Sequence, residues 1–346
     1  MYPSPFSRPP FHGPRLPFSL YSPKFRNEGP AVLKTADSTV PSGDRSSANI
    51  YQRAAQLQES PIRGVDFARL SREEKSALLQ QILLRKIHGI SFSPYMDGQS
   101  PGVQISEQQI RERLAIIQPY THWIRSFSCI DGNQEIARIA QEAGLKTMVG
   151  VDLGDDLEAN EEELANGIAV AQAGHADIFV VGNENLLRQD LTEQQLLEYI
   201  ERAKAAVPGV PVSFVDAYFL FENHPAVAEA VDVLLVNCYP FWESCAAEYA
   251  LLYMKEMYRR AQRVANGKKV IISETGWPTE GTPFGDAVPS YDNALEYFIK
   301  TCQWAEEEGI EIFYFSSLDE SWKVGDEGDV GAYWGLWDQH GNLKYV

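Results

Sequence analysis

From about residue 86 onward, short apolar runs alternate with longer amphipathic stretches. The apolar runs are Gly89–Tyr95, Trp123–Ser128, Lys146–Val151, Ile178–Val181, Pro211–Val215, Val233–Val236, Val270–Ile272 and Ile310–Ser316. Helix-period patterns lie between them at Glu107–Ile117, Asn133–Ala143, Glu161–Gly174, Thr192–Val207, Ala246–Asn266 and Tyr291–Glu308, with a shorter one at Pro225–Ala230. The runs are apolar without strict alternation, as strands buried on both faces are. Strand and helix alternating at this length predict parallel βα units. Eight units favour an α/β fold closed into a (β/α)8 (TIM) barrel, with an open doubly wound sheet as the alternative. Upstream, Ser71 followed by Glu74 reads as a capping box opening a helix over 72 to 85. A short helix is expected at Ala48–Leu57. Residues 1 to about 50 show no periodicity. Prolines at 3, 5, 9, 10, 14 and 17 deny them helix and ladder hydrogen bonds. The expected division is a flexible Pro/Ser/Arg-rich extension over 1–60 and a single barrel domain over 61–346.

Charge changes the picture of what this chain can bind. The formal net charge is −18 over 346 residues. The first 55 residues hold seven Lys/Arg and three Asp/Glu, so the remainder carries 23 cations against 45 acids, a net of −22. An acidic body argues against nucleic acid as a partner, since phosphate binding needs basic surface. A neutral ligand meets no such barrier. Cys129, Cys238, Cys245 and Cys302 form no CxxC and share no zinc-like spacing with His, so they read as free thiols, with one disulfide left open. The histidines at 88, 122, 175, 224 and 340 share no ligand spacing, and the sequence holds no HExxH, Walker loop or Rossmann fingerprint. No metal or cofactor is implied. No apolar span is long enough to cross a bilayer and no signal-peptide core is seen. Location is therefore unknown, cytoplasmic by default, with an extracytoplasmic route left open. Oligomeric state is not legible.

A barrel gathers the C-terminal ends of its strands at one mouth, where active sites sit. Here those ends read Ser93-Pro94-Tyr95, Arg125-Ser126-Phe127, Asp152, Asn183-Glu184, Asp216-Ala217-Tyr218, Asn237 to Trp242, Glu274 to Trp277, and Asp319 to Lys323. Carboxylates and amides hydrogen-bond sugar hydroxyls, while Tyr and Trp stack on sugar C–H faces. Glu184 and Glu274 each end a core run, on the fourth and seventh strands. Facing each other across a barrel, two such carboxyls suit a separation of about 5–5.5 Å and a retaining glycosidase mechanism. For either Glu alone, the plain alternative is an exposed loop acid.

Val181-Gly182-Asn183-Glu184 and Ser273-Glu274-Thr275-Gly276-Trp277-Pro278-Thr279 resemble glycoside hydrolase family 17, the β-1,3-glucanases and related glucan transglycosylases. Trp123-Ile124-Arg125, Asn237-Cys238-Tyr239-Pro240 and Glu320-Ser321-Trp322-Lys323 support the resemblance, which spans about residues 86 to 337. The GNE and DESWK contexts are more similar to the short bacterial branch than to the plant enzymes. The resemblance implies a β-glucan oligosaccharide or polysaccharide as substrate, Glu274 as nucleophile and Glu184 as general acid/base. Chemistry suggests the neighbours' roles. Arg125 would pair with Glu274, Tyr239 would donate to it, and Asn183 would bond a sugar 2-hydroxyl. The resemblance also implies that Glu320 and Lys323 match a polar pair the family keeps near its site. Tyr95, Trp277 and Trp322 join these as substrate-binding candidates, although Trp277 reads equally well as core. Water in the second step would give hydrolysis and a sugar hydroxyl would give transglycosylation. A glucan-binding pseudoenzyme is the non-enzyme alternative.

Overall fold

The computed structural model describes residues 64–325 and 327–346. The expected extension over 1–60 and the short helix at 48–57 lie outside the described residues. Eight parallel strands close a barrel in chain order: β1 (Ile87–Ser91), β2 (Thr121–Arg125), β3 (Lys146–Val151), β4 (Ile178–Asn183), β5 (Val212–Ala217), β6 (Leu234–Asn237), β7 (Val270–Thr275) and β8 (Ile312–Tyr314), with β8 returning to β1. The open-sheet alternative is thereby excluded.

The ends of the elements moved most. β1, β2 and β8 stop at Ser91, Arg125 and Tyr314, short of the apolar runs that marked them. The apolar residues beyond, such as Phe92, Phe127 and Phe315, pack the mouth instead of extending the ladder. β7 runs further than its apolar core, so Glu274 lies within the strand. The helix expected from Glu161 begins at Leu157, because the Asp156 carboxylate accepts from the N–H groups of Glu158 and Ala159. Ser71 forms the expected capping box with Glu74, and Thr192 forms another with Gln195. Short helices at Asn185–Arg188 and Tyr218–Asn223 follow β4 and β5 and carry no helical period of their own.

Two packed layers hold the barrel. Outside, strand and helix side chains form one continuous core. Inside, Met148, Ile178, Val180, Val215, Leu235, Ile271 and Phe313 fill the axis. Gly89 on β1 makes room for that filling, since a Cβ there would stand 2.5 Å from the Phe313 ring. Above this plug the register slips on three strand pairs, between Val180 and Asn183, Val236 and Asn237, and Ile272 and Thr275. Such irregularities re-aim side chains. They fall on β4, β6 and β7 at the mouth.

Candidate active site

The mouth is organised by hydrogen bonds that cross the barrel. Arg125, at the end of β2, is 1% exposed. One guanidinium nitrogen donates to Glu274 on β7, and the other donates to Asn183 Oδ1 on β4 at 2.8 Å. From the far side, Asn237 on β6 donates Nδ2 to Glu184 Oε1 at 2.8 Å and accepts from the Ser273 hydroxyl at 2.8 Å. Asn183 adjoins Glu184 and Ser273 adjoins Glu274, so these contacts close a ring through β2, β4, β6 and β7. The Tyr239 hydroxyl donates to the second oxygen of Glu274 at 2.7 Å. Burial and the adjacent Glu274 both push the Tyr239 phenol well above its ordinary pKa, which keeps it a donor.

Glu184 is held by an unusual backbone. It takes a left-handed conformation, φ 54° and ψ 27°, uncommon for a residue with a side chain. Its N–H donates to Val215 O at 2.7 Å. Gly182 precedes it at φ 88°, where a Cβ would meet Asn185 Oδ1 at 2.2 Å. Asn185 is fully buried and donates to Leu153 O and Asp190 Oδ1. The Asp216 carboxylate accepts from the N–H groups of Leu186 and Leu187.

The eighth strand's loop contributes a second polar group. Glu320 and Lys323 pair at 2.7 Å. Burial opposes the Lys323 charge, but Glu320 and Glu327 outweigh it and raise the ammonium's pKa. Its Nζ also lies 4.2 Å from the centroid of the Phe315 ring. The half-buried Glu327 carboxyl is pushed up to about 7, first by desolvation, against Lys323, and further by Glu320, Glu274 and Glu184. Sequence pattern did not single out Glu327, which sits in a Gly-rich loop with no strand to point to it.

The aromatic candidates separate. Trp322 is 36% exposed, donates its indole N–H to Glu320 and meets Tyr95 edge-on. Tyr95 is buried beneath it, its hydroxyl accepting from Asn133, and desolvation moves its pKa up to about 12. Trp277 is corrected as a substrate platform. It is 1% exposed, its indole N–H donates to Val288 O, and it packs between Phe241 and Tyr297. Arg125 pairs with Glu274 and also holds Asn183, so both ends of its guanidinium are taken. Trp334 centres an aromatic wall, its ring centroid 5.4 Å from Tyr239 and 5.6 Å from Trp242. All four cysteines are free thiols, so the disulfide left open does not form.

Among the described residues, no group of three or more His, Cys, Asp or Glu is placed to hold a metal ion, and no helix is long and apolar enough to cross a membrane. Three comparisons bear on this geometry. Residues 89–335 match the family model described as the BtgE/BtgC glycoside hydrolase domain. A glucan 1,3-beta-glucosidase of Candida albicans is 30% identical over 258 residues, covering 67% of this chain and 83% of the relative. A counterpart in Saccharomyces cerevisiae is 28% identical, covering 69% of this chain and 85% of the relative. Among solved structures, the glycoside hydrolase family 17 beta-1,3-glucanosyltransferase of Rhizomucor miehei superposes with a TM-score of 0.68 at 26% identity, over 75% of this chain and 96% of that one. An active-site mutant of the Rhizomucor miehei enzyme, in complex with laminaritriose, matches at the same TM-score and 25% identity. The chain belongs to glycoside hydrolase family 17, through its BtgE/BtgC glycoside hydrolase domain.

Proposed function

We propose that this enzyme cleaves β-1,3-glucan with retention of configuration. Glu274 is the nucleophile, Glu184 the general acid and then base, and β-glucan chains the substrate. The observation that carries the assignment is the hydrogen-bonded ring. It ties both carboxyls to one rigid frame while giving them different partners. Glu274 receives a guanidinium and a phenol, donors suited to an ionised nucleophile. Glu184 receives the neutral Asn237 amide, compatible with a carboxyl that carries a proton. In the first step Glu274 attacks the anomeric carbon and Glu184 protonates the departing glycosidic oxygen. In the second, Glu184 takes a proton from the acceptor, which displaces Glu274. Asn183 offers its amide nitrogen to the 2-hydroxyl, its oxygen being engaged by Arg125. Trp322, above Tyr95 and beside the Glu320–Lys323 pair, serves as a sugar platform at the rim.

Water as the acceptor gives hydrolysis. A sugar hydroxyl gives transglycosylation, favoured by the likeness to a glucanosyltransferase over nearly that enzyme's whole length. A binding-only protein would have no use for the paired carboxyls and their donors. Incubation with β-1,3-gluco-oligosaccharides of one length, followed by mass and linkage analysis, separates these outcomes. Products only shorter than the substrate mean a hydrolase, and longer products mean a transglycosylase. Glu274→Gln abolishes turnover in either case; full activity in that variant would remove the nucleophile assignment.

A further inference from the structure

Asp216 ends β5 beside the turn that carries Glu184, yet it does not reach the cleft. It is 0% exposed. Val215, one residue earlier, belongs to the barrel's inner plug, and Phe214 packs in the outer core. The Asp216 side chain points outward like that of Phe214, since alternate strand residues share a face. It thus stands behind Glu184, on the side away from substrate. Its Oδ1 accepts from Ala217 N at 2.7 Å, and its Oδ2 from Leu186 N and Leu187 N at 3.1 and 3.4 Å. The last two N–H groups open the short helix after Glu184, so one buried carboxyl fixes the turn that holds Glu184 at positive φ.

An amide has one acceptor oxygen, whereas this turn uses both oxygens of the carboxyl. Desolvation first, and Glu184 second, push the Asp216 pKa well above its ordinary value, against the pull of three backbone N–H groups. Asp216 is therefore favoured neutral, and what it supplies to the turn is its oxygens as acceptors.

We propose, on the reading of Glu184 as acid/base, that Asp216 is a positioning residue for it, clamping from behind the turn that aims the Glu184 carboxyl at the glycosidic oxygen. Other groups also face Glu184. Arg188 on the following helix favours its charged form, whereas Glu327 from the β8 loop opposes it, and Tyr239 lies on the β6 side. Asp216 differs from these in lying wholly behind the turn.

The test compares Asp216→Asn with Glu184→Gln in the full chain on two substrates, a laminari-oligosaccharide and a 2,4-dinitrophenyl β-laminaribioside. The second has a leaving group that needs no proton. Glu184→Gln should lose at least about 100-fold on the oligosaccharide, the ordinary scale of general acid catalysis, and far less in glycosylation of the enzyme by the aryl substrate. Asp216→Asn should show the same asymmetry at about 10-fold or more. Equal losses on both substrates would reduce Asp216 to a structural cap and overturn the proposal. If Glu184→Gln shows no asymmetry, the acid/base assignment itself falls, and the two failures are distinguishable. Should Asp216→Asn not fold, Asp216→Ser, which keeps one acceptor for the turn, takes its place in the same two-substrate comparison, and equal losses there overturn the proposal.

Discussion

Replacing Arg125 by Met tests whether the ring across the mouth holds the site together. The guanidinium is buried, donates to Glu274, donates to Asn183 and lies 4.5 Å from the centroid of the Phe127 ring. Met preserves most of the stem volume but removes the charge and every donor. Glu274, itself buried, then keeps its carboxylate without a cation. Breaking a buried ion pair from one side costs about 3–5 kcal/mol, because the remaining charge is left uncompensated. For a domain of this size that is a fall in Tm of on the order of 5–10 °C. Urea denaturation followed by tryptophan fluorescence reads the loss. Pairing the change with Glu274→Gln isolates its cause. Once Glu274 is neutral, the Arg125→Met penalty should shrink by about 2 kcal/mol, within the coupling range of contacting residues. Turnover in the single variant should fall at least about 100-fold, since Glu274, the proposed nucleophile, loses its orientation. A penalty below about 1 kcal/mol, or a cycle with no coupling, would refute the view that the pair is what anchors Glu274.

Four other substitutions have expected outcomes. Tyr239→Phe removes a donor at 2.7 Å from Glu274 and should lower kcat about 10- to 100-fold with KM little changed, the scale of a hydrogen bond to a charged acceptor; steady-state kinetics on oligosaccharides checks it. Trp322→Ala should raise KM several-fold and leave Tm in place because the ring is at the surface, whereas Trp277→Ala should cost about 3–5 kcal/mol of stability as a buried side chain. Glu163, 2% exposed and pushed up to about 7 by desolvation, is favoured neutral in the folded state, so its contribution is full below pH 4.5 and is lost as pH rises through 7. Glu163→Gln should therefore flatten the fall in stability over that window, by up to about 3 kcal/mol; an unchanged pH dependence of urea midpoints would show that the carboxyl ionises freely.

The barrel was legible because its strands are buried on both faces and so write themselves as unbroken apolar runs. Val270–Ile272 and Ile178–Val181 are such runs, and each led straight to a carboxylate. Arg125–Glu274 and Tyr239–Glu274 were also within reach, since each residue ends a strand and strand ends converge at one mouth. What stayed hidden depends on loop conformation. Nothing local in the sequence says that Glu184 adopts positive φ, that Asn237 turns towards it, or that Glu327 comes close enough to Glu274 and Glu184 to feel their charge. Trp277 shows the converse problem. A tryptophan in a Gly-Trp-Pro turn looks like a platform until the neighbouring rings that cover it are known.

The apolar filling of the barrel axis, with Phe313 seated against Gly89, makes this enzyme a workbench rather than a tunnel. A polymer cannot thread through the scaffold, so it must lie across the rim, with both of its directions governed by the βα loops alone. Cleft length, the choice between chain ends and internal bonds, and the welcome given to an incoming sugar are then properties of those loops. They can be rewritten without disturbing the packed axis beneath, and the hydrogen-bonded ring at its top is the fixed floor on which each revision has to stand.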